Sequence, residues 1–305
     1  MVKSGINFGE TFSANPNYVS IGSSYISLGY SYHFVAISPD LQIGVLTSTG
    51  YSSNYCGEIQ LRKISTSQEL YPHYLENEVE NNYKVTNIYI NKFSPNGKTF
   101  ASLMEIRIGS IDHQPIRHKY FYEIIKLWEV KTGREIASIL SPPVEIETKE
   151  KGVLAFSLDS RILASNCGDT WRRIIVLIDT ATGQELCQSE AKRRIVSLSF
   201  SHDNRFLASG DCYGEITLWE IKIDSLQRFT INPIKIFASN YKEAVRTLVF
   251  SPDGRTLVSG LGYYDSGMTM WNVKTGKILK TLKGHLVSYP KLKSSFKHPN
   301  EIVVK

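Results

Sequence analysis

One tight turn, written again and again after a short apolar strand, sets what this chain can fold into. It reads Phe93-Ser94-Pro95-Asn96-Gly97, Phe156-Ser157-Leu158-Asp159-Ser160, Phe200-Ser201-His202-Asp203-Asn204 and Phe250-Ser251-Pro252-Asp253-Gly254. A looser copy, Ile37-Ser38-Pro39-Asp40, opens the series, and a degenerate one, Phe296-Lys297-His298-Pro299-Asn300, closes it. Proline presets φ, Asp or Asn bonds back to nearby backbone, and Gly takes the φ > 0 position, so each copy ends one strand and starts the next. Repeats at roughly 40–50 residues mark a radial array of β units, none of which can bury its apolar faces alone. Arrays of this kind usually serve binding rather than catalysis.

The unit from Val245 to Lys283 shows the pattern most clearly. Val245, Leu248 and Phe250 mark a first strand; Thr256, Leu257 and Val258 begin a second. Met268, Met270, Trp271 and Val273 make a third, ended by Lys274-Thr275-Gly276, and Ile278, Leu279 and Leu282 a fourth. Four short strands separated by turn residues predict an antiparallel meander, with strands a to d. Repeats are expected at about 32–76, 87–141, 151–190, 194–239 and 244–283, with a partial unit at 284–305.

These residues resemble the WD-repeat β-propeller family over most of the chain. The carriers are the Phe-Ser-Pro-Asp-Gly turn, the steps Leu127-Trp128, Leu218-Trp219 and Met270-Trp271, the Thr-Gly turns and Gly284-His285. The family's Trp-Asp step appears as Trp128-Glu129, Trp219-Glu220, Trp271-Asn272 and Ile178-Asp179, and Leu61-Arg62 replaces it in the first unit. The resemblance implies an all-β fold: a single propeller domain over 1–305 with five complete four-stranded blades and a sixth at the chain ends. It makes Trp128, Trp219 and Trp271 equivalent residues buried between blades, and Phe93, Phe156, Phe200 and Phe250 the repeated turn entries. Ser209, Asp211 and Trp219 match parts of the family's buried hydrogen-bond network, with no histidine before them.

Composition narrows the function classes. The length of 305 residues fits one six-bladed array of about 50 residues per blade. No run approaches the roughly 18 apolar residues of a membrane span, and no leader-like apolar stretch opens the chain, so a cytoplasmic protein is expected. The four cysteines, Cys56, Cys167, Cys187 and Cys212, are scattered and read as reduced thiols; a Cys167–Cys212 bridge is conceivable from their equivalent positions. Gly260-Leu261-Gly262 leads into a strand, not a helix whose N-terminus could hold pyrophosphate. No nucleophile elbow, P-loop or zinc spacing occurs, and His113 and His118 are five residues apart without a neighbouring cysteine. No metal, cofactor or catalytic residue is therefore assigned.

Binding residues gather on loops. The a–b turns are uniformly tight; the c–d turns are short except for Asp224 to Pro233. The opposite end carries the b–c and d–a connections, which vary, the longest running from about Glu105 to Tyr122. That face is expected to bind protein or peptide partners, as the resemblance also suggests. The candidate contacts are Arg117, Trp171, Arg172, Arg173, Arg193, Arg194, Tyr263 and Tyr264. The net charge of +6 permits acidic partners. A nucleic-acid or acidic-surface binder is the alternative, and a propeller enzyme with a channel site the third choice. Residues 1–31 are expected to supply the strands that close the sixth blade against the C-terminal segment. Oligomeric state and partner identity are not written in the residues.

Overall fold

The computed structural model describes residues 14–15, 18–21, 24–27, 33–48, 58–66, 68–74, 83–108, 120–142, 144–145, 152–167, 173–238, 243–261 and 267–282. Five antiparallel sheets follow one another, each with four strands in the order a-b-c-d, and in the second the short strand Val144–Glu145 also pairs with strand c. Blade 1 comprises His33–Ile37, Ile43–Ser48, Glu58–Lys63 and Glu69–Tyr74; blade 2 comprises Tyr83–Phe93, Thr99–Ile108, Tyr120–Glu129 and Glu135–Leu140. Blade 3 is Leu154–Phe156, Ile162–Ser165, Ile174–Asp179 and Glu185–Glu190. Blade 4 is Ile195–Phe200, Phe206–Asp211, Glu215–Ile223 and Phe229–Ala238, and blade 5 is Val245–Phe250, Thr256–Leu261, Met268–Asn272 and Ile278–Leu282. Strand a of blade 1 contacts strand a of blade 2, and the a strands of blades 3, 4 and 5 contact one another in turn, so these strands line the inner side. Among the described residues, no helix is long and apolar enough to cross a membrane.

The core lies in the seams between consecutive sheets. Alternation along each strand sends neighbouring side chains to opposite faces. Leu127 therefore packs with Leu154, Leu163 and Ile178 of blade 3, while Trp128 packs with Val45, Ile59 and Leu61 of blade 1. Leu218 and Trp219 divide in the same way between blades 5 and 3. Trp128, Trp219 and Trp271 are 1%, 1% and 2% exposed, each pointing back at the preceding sheet. In every blade the c–d ladder shifts register at this step: at Leu61/Arg62, Leu127/Trp128, Leu177/Ile178, Leu218/Trp219 and Met270/Trp271. Such a bulge increases local twist. The indole N–H of Trp219 donates to Ser209 Oγ at 2.8 Å, and that of Trp271 to Ser259 Oγ at 2.8 Å. In blade 2 the corresponding Ser102 donates to Asn91, and Trp128 stacks on Phe100 with centroids 5.5 Å apart.

The a–b turns repeat one hydrogen-bond pattern. The Ser hydroxyls of Ser38, Ser94, Ser157, Ser201 and Ser251 donate to Asp40, Asn96, Asp159, Asp203 and Asp253 at 2.5–2.8 Å. The same oxygens accept the amides of Ile43, Thr99, Ile162, Phe206 and Thr256 at 2.8–3.0 Å. The hydroxyls of Ser38 and Ser251 hold the carboxyls of Asp40 and Asp253 below the usual carboxylate range. One residue in each turn is left-handed: Leu41, Gly97, Ser160, Asn204 and Gly254, with φ of 59°, 69°, 64°, 59° and 68°. Two of these also join neighbouring turns. Ser160 Oγ accepts the Asn96 amide at 3.0 Å, and Asn204 Oδ1 accepts the Leu158 amide at 2.7 Å.

Two sequence expectations about connections change. The b–c link of blade 2 does not begin at Glu105, because strand b continues to Ile108 and strand c starts at Tyr120. Glu105 faces Glu123 across this ladder, and both are buried, at 5% and 1% exposure. Nor is Asp224–Pro233 a long loop. Strand c of blade 4 runs to Ile223 and strand d starts at Phe229, so the excess length is a longer hairpin closed at Asp224. The extension is apolar for a reason: Ile221, Phe229 and Ile231 pack in the blade 3–4 seam.

At the N-terminal end, Ala14–Asn15, Tyr18–Ile21 and Ser24–Ser27 pair in a three-stranded antiparallel sheet of their own. Their expected partners, residues 284–305, lie outside the described residues. On blade 5, Val249 and Met268 are exposed, at 54% and 47%.

Candidate partner-binding cleft

The b–c end gathers cationic side chains where blades 3 and 4 meet. Arg173 immediately precedes strand c of blade 3, and Arg193 and Arg194 lie in the link from blade 3 to blade 4. That link is pinned on both sides by backbone bonds. The Ala191 amide donates to the Arg173 carbonyl at 2.7 Å, and the Cys212 amide donates to the Arg194 carbonyl at 3.2 Å. Strand b of blade 4 ends at Asp211, whose Oδ1 accepts the amides of Tyr213 and Glu215, both at 2.8 Å. Gly214, at φ 91°, completes the turn. This Asp-capped turn holds Tyr213 out at 58% exposure.

The side chains then assemble. Arg193 Nη1 lies 3.7 Å from Asp211 Oδ2, and its guanidinium sits over the Tyr213 ring, 5.0 Å from the centroid. Arg173 Nη2 reaches Glu190 Oε1 at 3.2 Å. Arg173, Arg193, Arg194, Cys212 and Tyr213 line one open cleft of about 300 Å³. Its walls are fixed by backbone bonds and one buried carboxylate, and the guanidiniums of Arg173 and Arg193 are each placed by an acidic neighbour. The chemistry offered is recognition of negative charge by planar N–H forks beside an aromatic face.

Of the candidate contacts, the structure brings Arg173, Arg193 and Arg194 together. Arg117, Trp171, Arg172, Tyr263 and Tyr264 lie outside the described residues. Asp211 stands in the turn and Ser209 meets Trp219, at the positions the family network suggests. Asp211 caps that turn and faces Arg193. Tyr213 was missed from sequence. Its signal is the Asp211-Cys212-Tyr213-Gly214 run directly after a strand, which is a turn displaying an aromatic at its tip.

The thiols differ in setting. Cys167, Cys187 and Cys212 are all free, so Cys167 and Cys212 are not bridged. Cys167 donates to Glu123 Oε2 at 3.3 Å in the blade 2–3 seam, and burial, with Glu185 nearby, pushes the Cys187 thiol up to about 11. Among the described residues, no group of three or more His, Cys, Asp or Glu is placed to hold a metal ion.

Comparison with known proteins bears on this fold. A family model described as WD domain, G-beta repeat matches residues 184–220 and 231–272. The WD repeat-containing protein SL1-17 of Schistosoma mansoni is 29% identical over 155 residues, 51% of this chain and 46% of that protein. The Histone-binding protein MSI1 of Saccharomyces cerevisiae is 26% identical over 117 residues, 37% of this chain and 26% of that protein. The chain thus spans less than half the length of these curated relatives. Among solved structures, one titled as the crystal structure of a functionally unknown protein from Desulfotomaculum acetoxidans matches with TM-score 0.55 and 14% identity, covering 90% of this chain and 75% of that one. A chain of the Mitotic Checkpoint Complex matches with TM-score 0.54 and 14% identity, covering 84% of this chain and 67% of that one. Each matched repeat begins around strand d of one blade and ends within strand c of the next, so sequence repeat and sheet are out of phase by one strand. On the repeats, the sheets and these likenesses together, the chain carries WD40 repeats within an all-β array similar to WD40 propellers.

Proposed function

We propose that this protein is a non-catalytic interaction platform that receives an acidic segment of a partner protein on its b–c and d–a face. The cleft between blades 3 and 4 carries the reading. Three arginines line it on walls whose backbone is already ordered, so association loses little conformational entropy. Fixed arginines and an exposed tyrosine are the residue types that dominate binding at interfaces. The WD40 family is usually non-catalytic, and the yeast relative is named for binding another protein, which supports the same class of role. The free thiols at Cys167, Cys187 and Cys212 support a cytoplasmic setting as part of this proposal.

The test pairs affinity with stability. Proteins co-purifying with the wild-type chain are compared with those retained by Arg193→Gln/Arg194→Gln. Acid-rich partners should be lost, while unfolding free energy changes by no more than about 0.5 kcal/mol, as for other surface changes. Retention of the same partners would reject the cleft as the docking site. A binder of nucleic acid would instead show a steep fall of affinity with salt and no dependence on a protein partner.

A further inference from the structure

The cleft's own carboxylates restrict which anion it can prefer. Two of the three arginines already face acidic residues of this chain: Arg193 faces Asp211 at 3.7 Å, and Arg173 faces Glu190 at 3.2 Å. A partner's aspartate or glutamate would bring only what these arginines have, one charge and two oxygens. It gains little by exchange.

The two internal carboxylates are not equivalent. Asp211 is buried, and two backbone amides at 2.8 Å hold its Oδ1, so it stays. The Glu190 side chain is 61% exposed, and it can swing into water at small cost. With Glu190 displaced, the three arginines and Asp211, among the described residues, sum to two net positive charges. A phosphomonoester carries about −1.5 to −2 at pH 7 and three acceptor oxygens, matching that charge and offering an edge to each fork.

We infer that the cleft receives a phosphorylated side chain of the partner, its dianion held by Arg173, Arg193 and Arg194 in place of Glu190. This rests on the reading of the cleft as the protein-docking site and names the chemistry that docks. A nucleic-acid strand asks for cations spaced along a track. Here they converge on one void of about 300 Å³, the scale of a single side chain and its immediate neighbours. Arg193 is further placed by the Tyr213 ring, whose centroid lies 5.0 Å from its guanidinium carbon.

The experiment uses the full chain and three fluorescent pools of random short peptides. One has a central phosphoserine, phosphothreonine or phosphotyrosine, one a central glutamate and one a central serine. Anionic vesicles and single-stranded DNA serve as further probes. The phosphorylated pool should bind at least tenfold more tightly than the glutamate pool at pH 7.5. That advantage should shrink below pH 6, where the phosphate takes up its second proton and loses charge. Arg193→Lys/Arg194→Lys keeps the charge but removes the forks, and should abolish most of the advantage with an unchanged thermal midpoint. Glu190→Gln should tighten phosphopeptide binding. Equal binding of phosphorylated and glutamate pools overturns the phosphate inference alone and leaves acidic docking standing. Binding of no peptide pool, whether or not vesicles or DNA bind, overturns both.

Discussion

At one end of these sheets, five turns repeat a single hydrogen-bond pattern; at the other, the described b–c and d–a connections share no common pattern. The a–b turns reuse a serine, an Asp or Asn and one left-handed residue, and two neighbouring pairs of turns are tied together directly. The cleft end offers Arg173, Arg193 and Arg194, which no other blade reproduces at the same positions, beside Tyr213, whose sequence counterpart in blade 5 is Tyr263. The polar groups of the turn end are consumed by the chain itself. Those of the cleft end are paired only in part by the chain, and the Arg173 and Arg193 side chains stay partly exposed across a seam. Repetition therefore marks residues that answer to the fold, and its breakdown marks residues free to answer to a partner.

Five variants test that division, from the largest effect downward. Trp219→Ala removes a 1% exposed indole from the blade 3–4 seam and orphans Ser209, and should cost about 3–5 kcal/mol in chemical denaturation. A cost under about 1 kcal/mol would show that the seam is not built around it. Ser157→Ala, at 0% exposure, leaves the Ile162 amide and Asp159 without their partner and should cost about 1–3 kcal/mol while peptide binding is unchanged. Weakened binding by this variant would break the separation of the two ends.

The third comparison is within the turns. Leu41 is left-handed and 50% exposed, so Leu41→Gly should relieve strain and add up to about 1 kcal/mol. Asn204→Gly removes similar strain but also the bond to Leu158, and should be neutral or destabilising. Gains of equal size at both sites would mean that the bond between turns carries no weight. The smallest effect belongs to Arg193→Gln/Arg194→Gln, whose stability should match wild type within about 0.5 kcal/mol. A larger loss would assign these arginines to the fold.

The sheets were legible because their punctuation is chemical. Phe-Ser-x-Asp states where a strand ends, and the Trp steps state which residue enters the seam. Legibility failed where length was judged by polarity alone. Glu105 and Glu123 look like loop residues, yet they sit buried on facing strands, and Gly152 donates its amide to Glu123 at 3.2 Å. An added Cβ at Gly152 would meet Leu103 and that same carboxylate at 2.7 Å, so the glycine is what lets the backbone reach it. No periodicity signals such a pairing, because it is made across two blades. The cleft was half legible for the same reason. The arginines stood out as a basic cluster, but their convergence with Tyr213 depends on how the blade 3–4 link is pinned.

That the cleft straddles a seam couples occupancy to the folding equilibrium. Arg173 and Glu190 belong to blade 3, Asp211 and Tyr213 to blade 4, and the other two arginines to the chain between them. A ligand gripping both sides is a cross-brace, and it lowers the population of every state in which the seam has parted. At a hundredfold excess over its dissociation constant it would add about 2.7 kcal/mol to the folded state. Protease resistance and hydrogen exchange along strands Glu185–Glu190 and Ile195–Phe200 would then report partner supply. Copies without a partner would be the first to open and be cleared, so the amount of this protein in a cell would follow the amount of what it binds.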